Sequence, residues 1–214
     1  MQDIICFRID DRLIHGQVAA VWTKHLHQTR IVVVDDEANG SDLQKQMLKM
    51  ACPPGIKLSV LTVEKAIRNF NDKKYDGDKI LAIAKCPQTI VRLVKEGFMP
   101  FMTKEIVVGN MSGSKTKRKV AAGFNVDDND VEAFKTINDV GVKCYYQLLP
   151  TNNKEEVIQM LWLIEHISEM VYALFLLIVQ KFIYQLFTQT TVKIVCATSV
   201  KNIQKRTTWC QVWY

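Results

Sequence analysis

From Thr151 to Tyr214 the chain contains no glycine and no proline; all nine glycines and all five prolines lie earlier. Acidic residues thin out in the same stretch. Beyond Glu165 there is one, Glu169, against five basic residues (Lys181, Lys193, Lys201, Lys205 and Arg206), so residues 166–214 carry +4 of the net +6. The remainder is close to neutral, which removes the basic face that a nucleic-acid partner needs and excludes nucleic acid. Cysteine is scattered: Cys6, Cys52, Cys86, Cys144, Cys196 and Cys210 stand singly, with no C-x-x-C. That spacing excludes a zinc site, a thioredoxin-like motif and a disulfide scaffold, and suits a reducing compartment. Histidine is rare as well. His25 and His27 lie about 200° apart around a helix and cannot share a metal, so no metal is expected. The first residues meet charge at once and lack an apolar h-region, so no signal peptide is expected and the body is placed in the cytoplasm.

What is present is ordinary for a globular protein: 214 residues, 48% hydrophobic and 23% charged. That suits one large domain, or one domain with an appendage. Apolar runs at Ile4–Ile9, Arg30–Val34, Lys57–Leu61, Lys79–Ala84, Glu105–Val108 and Val142–Leu148 read as strands. Helical spacing fills Gln17–Leu26, Asp42–Met50, Val63–Phe70, Thr89–Lys95 and Asp130–Val140. Ser41 and Asp42 offer an N-cap, Pro53-Pro54-Gly55 stops a helix, and Gly97 and Gly141 stand where C-caps belong. Such alternation predicts an α/β fold, an open, mostly parallel twisted sheet with helices on both faces. Ligands of such sheets bind outside the carboxyl ends of the strands.

The loop after the first strand is the most informative: Arg8-Ile9-Asp10-Asp11-Arg12-Leu13-Ile14-His15-Gly16-Gln17. Two arginines, two aspartates and a histidine converge on a turn that opens a helix. This suits phosphate held near an imidazole. Arg12 offers a fork for phosphoryl oxygens, the helix start offers unpaired N–H groups, and Gly16 lets backbone approach closely. Neutral imidazole is a competent nucleophile. The competing reading is a surface loop of weak ion pairs with His15 as a cap. Asp35 and Asp36, ending the second strand, either position this loop or cap the next segment of the chain.

The stretch Phe7–Trp22, FRIDDRLIHGQVAAVW, resembles the signature of the enzyme IIB subunits of the mannose/fructose/sorbose family of bacterial sugar phosphotransferase systems. The resemblance continues in order through IVVVDDEANGSDLQKQMLKMACPPGIKLSVLTVEKA, CPQTIVRLVKEGF and VGNMSGSKTKRKVAAGFNVDDNDVEAFKTINDVGVKCYYQLLPTNNKEEV. It implies a protein-N(pi)-phosphohistidine–sugar phosphotransferase (EC 2.7.1.-), IIB component, without a cofactor. His15 is then the transient phosphoryl carrier, phosphorylated on Nδ1, and Arg12 stabilises the phosphoryl group. Arg8 is expected to help hold its oxygens, with Asp10, Asp11, Gly16 and Gln17 supporting the loop. The implied partners are a phosphorylated IIA protein, the membrane IIC and IID subunits and the sugar. The protein then works at the inner face of the cell membrane through those subunits. Neither the sugar nor the oligomeric state, homo-oligomer included, follows from the resemblance. A rival from another class is a regulatory α/β module that senses a phosphorylated partner without turnover.

Gly109-Asn110-Met111-Ser112-Gly113-Ser114-Lys115-Thr116 departs from a Walker loop by one missing residue and an extra serine before the lysine. It is read as a turn flanking the site, with Met111 and Ser112 helping to cover its mouth. The basic run Lys115–Lys119 reads as a solvated loop or as a steering surface for an acidic partner. Residues 1–163 are expected to form the IIB domain. Residues 164–214 form an atypical hydrophobic and basic extension, helical or disordered. Three readings of it stand: a membrane-crossing helix interrupted by Lys181, a helix packed on the body or in a self-association seam, and a non-native stretch such as a shifted reading frame.

Overall fold

The computed structural model describes residues 3–96 and 105–167 and, of the extension, 171–172, 174–182 and 185. The chain divides into two compact units, Met1–Ile164 and Glu165–Tyr214.

In the first unit the strands are β1 (Asp3–Ile9), β2 (Arg30–Val34), β3 (Lys57–Leu61), β4 (Lys79–Ala84), β5 (Glu105–Val108), β6 (Arg118–Ala121), β7 (Phe124–Val126), β8 (Lys143–Tyr146) and β9 (Glu155–Glu156). Among the described residues they form a seven-stranded sheet, β3-β2-β4-β1-β5-β8-β9, and a separate β6-β7 hairpin. All pairings in the large sheet are parallel except β8 with β9. This is the open, mostly parallel α/β sheet expected.

The helices are α1 (Thr23–Leu26), continuous with a π-helical turn at Val18–Trp22, then α2 (Asp36–Gly40), α3 (Asp42–Ala51), α4 (Val63–Asn71), α5 (Pro87–Lys95) and α6 (Asp128–Asp139). Ser41 caps α3 by accepting from Gln44 N, and Asp127 caps α6 in a reciprocal capping box with Asp130. Gly141, at φ +84°, follows the end of α6 as anticipated. Gly97 lies outside the described residues.

The pleat divides the apolar side chains between two layers. Val32, Val34, Ile80, Ala82 and Ala84 meet Val63, Ala66 and Phe70 of α4, Ile90 and Leu93 of α5, and Phe134 and Ile137 of α6. Ile31, Val33, Leu81 and Ile83 meet Val18, Trp22, Ala38 and Leu48 on the other face. Each of the larger ones, Val, Leu, Ile or Phe, contributes about 1.5–3 kcal/mol of transfer free energy when fully buried. Strand β1 carries a register shift between Ile4 and Cys6. The extra residue lets Ile4 share a face with Phe7 and Ile9, and turns Cys6 to the face of Trp22. Arg8, alternating with Phe7 and Ile9, follows Cys6 to that second face.

Four elements escaped the sequence reading: α2, the β6-β7 hairpin, β9 and a helix that starts at Val157. Helix residues 157–167 place Val157 and Leu161 in the α4–α6 layer. In the second unit the described residues are helical, and Leu174, Phe175 and Phe182 are exposed. Among the described residues no helix is long and apolar enough to cross a membrane. The readings of the extension that concern residues 186–214 fall outside the described residues.

Candidate functional site

Strand β1 lies between β4 and β5. Its connection leaves toward β2 on one side, whereas that of β5 leaves toward β8 on the other. A crevice therefore opens between their carboxyl ends, at the topological switch point. The loop 10–17 enters it. Asp10 N donates to Ala84 O, and Asp11 N donates to Asn110 O. Leu13 N returns to Asp10 O and Leu13 takes a left-handed conformation, φ +55°. For a non-glycine residue that conformation is costly. The side chains of Leu13 and Ile14, both buried in the Trp22 layer, hold it. Arg12 and His15 are thus displayed on either side of two apolar anchors.

His15 stands where the first helix begins, and its carbonyl accepts from Ala19 N at 2.8 Å. Its Nε2 lies 3.1 Å from Asp10 Oδ2, and the side chain keeps 16% of its surface exposed. Asp10 is fully buried. Burial pushes its carboxyl upward, but the hydrogen bond from His15 and the Arg8 charge outweigh this and hold it below the ordinary carboxylate range. The ionised carboxylate only accepts hydrogen bonds, so His15 Nε2 is the donor and carries the ring proton. The same oxygen accepts from Asn110 N, while Asp10 Oδ1 accepts from Arg12 N. The Arg12 side chain is 46% exposed, with Nε 4.0 Å from Asp10 Oδ1.

Arg8 does not stand where the oxygens of a bound phosphoryl group would lie. Its side chain is fully buried beneath Asp10, donating to Oδ2 from Nε at 3.2 Å and from Nη2 at 3.0 Å. Nη1 donates to Gln147 O at 3.1 Å, and Nη2 to Leu148 O at 3.5 Å. Cζ sits 4.7 Å from the centre of the Trp22 ring, whose Nε1 also donates to Leu148 O. The expectation for Arg8 is corrected for this reason: strand alternation sends it inward, away from the loop surface. Burial pulls its guanidinium below its ordinary value, against the Asp10 charge.

Asp11 faces Asn110 and Ser112. Asn110 Nδ2 donates to Oδ1 and Ser112 N to Oδ2, both at 2.7 Å. Asp11 therefore ties loop 110–112 to loop 10–17. Met111 is buried in the α4–α6 layer, with its backbone engaged by Gly123 and Asn125, and it also lines the cleft wall. The strand is followed by a hairpin rather than by a helix, which disposes of the Walker reading. Asp35 caps α2 by accepting from Ala38 N, and Asp36 accepts from Val63 N and pairs with Arg92. Of the two uses weighed for this pair, their hydrogen bonds serve capping, not the His15 loop. Both still line a cleft of about 430 Å³ with Asp11, Lys85, Thr89 and Lys117. Gly16 and Gln17 are exposed, and nothing lies within 4 Å of a Cβ built on Gly16. The protein itself thus makes no demand for glycine there.

Sequence reasoning missed Asn110, Gly109 and the contact of Trp22 with Arg8. A Cβ on Gly109 would fall 1.9 Å from Arg8 Nη2. The available signal was the Gly-Asn pair ending a strand at the ligand edge. Among the described residues no group of three or more His, Cys, Asp or Glu could hold a metal ion.

Fold and site together define an open α/β protein that presents a half-buried histidine, tied to a carboxylate, at the switch point of its sheet. Comparison with known proteins gives the class its family. The family described as "PTS system sorbose subfamily IIB component" matches residues 4–170. The sorbose-specific EIIB component of Lacticaseibacillus casei is 35% identical over 151 residues, 71% of this chain and 90% of that one. The mannose-specific EIIAB component of Escherichia coli K12 is 36% identical over 154 residues, 72% of this chain but 47% of that longer protein. The crystal structure of the IIBSor domain of the sorbose permease from Klebsiella pneumoniae superposes with a TM-score of 0.69 at 26% identity, covering 74% of this chain and 96% of that one. The chain belongs to the IIB components of the mannose/fructose/sorbose family of sugar phosphotransferase systems. These relatives favour a phosphotransferase component over the regulatory module.

Proposed function

We propose that His15 carries the phosphoryl group and that its Nδ1 is the reacting nitrogen. The observation that carries this is the 3.1 Å contact of His15 Nε2 with the ionised Asp10, which occupies one ring nitrogen as a donor and leaves the lone pair on the other. Nδ1 attacks the phosphorus of a phosphohistidine on a IIA protein. The Nδ1–P bond forms as the P–N bond to the donor imidazole breaks, and the Nε2 proton stays in place. Asp10 then faces the cationic phosphoimidazole. Arg12, exposed with its Nε 4.0 Å from Asp10 Oδ1, supplies a planar fork to the equatorial oxygens. The first helical turn adds backbone N–H groups that have no intrahelical partner, and the open space at Gly16 admits the donor.

In the second half-reaction a sugar hydroxyl displaces the phosphoryl group from Nδ1, and its proton passes to a base on the sugar's side. The activity is that of a protein-N(pi)-phosphohistidine–sugar phosphotransferase (EC 2.7.1.-). The receiving partners are membrane IIC and IID subunits, and the protein works in the cytoplasm at the inner face of the membrane. The fused name of the mannose-specific EIIAB relative supports a IIA donor. The test is labelling by ³²P-phosphorylated IIA with mass-spectrometric mapping of the acid-labile site. His15→Ala is expected to abolish labelling with the fold intact; retained label in that variant overturns the assignment.

A further inference from the structure

We propose that Arg8 is a positioning residue that shares the Asp10 carboxylate with His15, so that the phosphoryl group stays transferable; this rests on His15 being the carrier. A carrier histidine faces two opposed requirements. Its ring must be held in one tautomer, which a carboxylate on Nε2 achieves. Its phosphorylated, cationic ring must not be held so well that the sugar hydroxyl fails to displace it. A buried carboxylate acting alone would satisfy the first and violate the second, since its charge is poorly screened.

The geometry separates the two requirements. Asp10 Oδ2, the oxygen that meets His15 Nε2, also receives Nε and Nη2 of Arg8. Arg8 and Asp10 form a buried pair without net charge. The hydrogen bond therefore orients the ring while lending it little net negative potential. Arg8 is kept from following the ring by the Gln147 and Leu148 carbonyls, the Trp22 face and the space left at Gly109. The charged groups around the ring are then Asp10 and Arg8 from the strand end and Arg12 from the loop. Asp11 is turned toward Asn110 and Ser112.

During transfer the Nδ1–P bond forms or breaks while the proton on Nε2 stays, so Arg8 changes no bond and acts only through Asp10. The test uses the full chain as wild type, Arg8→Met and Arg8→Lys, with folding checked by circular dichroism. His15 is titrated by ¹⁵N NMR, and the phosphoryl partition against phospho-IIA is measured. Arg8→Met is expected to raise the His15 midpoint by about one pH unit, a tenfold change in the protonation equilibrium. It is also expected to shift the partition toward the phosphorylated form and to slow transfer to sugar. Arg8→Lys, which keeps the charge, is expected to hold the midpoint near wild type. Folded Arg8→Met with a wild-type midpoint and partition overturns the proposal.

Should Arg8→Met not fold, Asp10→Asn tests the same coupling from the other side. It leaves the Arg8 charge uncompensated and is expected to lower the midpoint by about one unit, again tenfold; an unchanged midpoint overturns the proposal. Absence of label on wild-type His15 would instead sink the carrier assignment itself, so the two failures are distinguishable.

Discussion

Gly109→Ala is a one-carbon perturbation with a large expected effect. Gly109 has no left-handed φ, so alanine costs nothing in backbone conformation there. The cost is entirely one of space. The new Cβ would lie 1.9 Å from Arg8 Nη2, 2.2 Å from Cζ and 2.7 Å from Nε. Comfortable separation is about 3.5 Å or more, so the guanidinium must retreat by roughly 1.5 Å. An exposed arginine would do so freely, but this one is fully buried, held by Asp10 and two carbonyls and stacked on Trp22. A retreat of that size breaks the bonds to Asp10 and leaves a buried carboxylate short of its partner. Breaking a buried pair costs about 3–5 kcal/mol, which for a chain of this size lowers Tm by roughly 6–20 °C. Denaturant melts followed by circular dichroism, alongside ³²P labelling of His15, measure both consequences. A Gly109→Ala protein within about 1 kcal/mol of wild type, near the scatter of ordinary surface substitutions, would refute the reasoning.

Three further expectations concern other parts of the molecule. Arg12→Ala, removing an exposed guanidinium that no packing depends on, should lower phosphoryl transfer at least tenfold while thermal melts stay within about 0.5 kcal/mol of wild type. Asp78 is the second: burial opposes its charge, but hydrogen bonds from Arg30, Lys57 and Thr29 hold its carboxyl at about 2. Because the folded value is depressed, the contribution is complete above the unfolded value near pH 4 and is lost as pH falls through about 2. Asp78→Asn should therefore cost about 2 kcal/mol at pH 7 and little at pH 2, as read by urea melts at the two pH values. Third, burial pushes the Cys6 and Cys144 thiols up to about 12. Mass mapping after maleimide treatment should find both unmodified in the native protein and modified in denaturant.

The parallel sheet was legible because its strands are continuous apolar runs separated by capped helices, a signal confined to each segment. The predicted end of β4, for example, coincides with the observed Ala84. Most of the elements that escaped are too short to show a period. Helix α2 has five residues and ends on Gly40, β9 has two, and half of β6 is Arg118 and Lys119. At the site, His15 and Arg12 were legible because their neighbours in the chain are also their neighbours in space. The place of Arg8 was not. Its partners Gln147 and Leu148 are 139 and 140 residues away, and its inward direction follows from alternation along a strand whose register shifts at Ile4–Cys6. Asn110 was hidden for the same reason, since the residues it joins lie 99 and 100 positions back along the chain.

The position of β1 inside the sheet has a consequence for local opening. Proteins come apart in pieces, edges before centres. Here β3 forms one margin of the sheet and the two-residue β9 the other, while β1 has paired strands on both sides. Excursions that unzip either margin leave the pairing of Arg8 and Ile9 with both neighbours in place. The loop that displays the histidine hangs from the part of the sheet that separates last, and it keeps its shape through fluctuations that disturb the periphery.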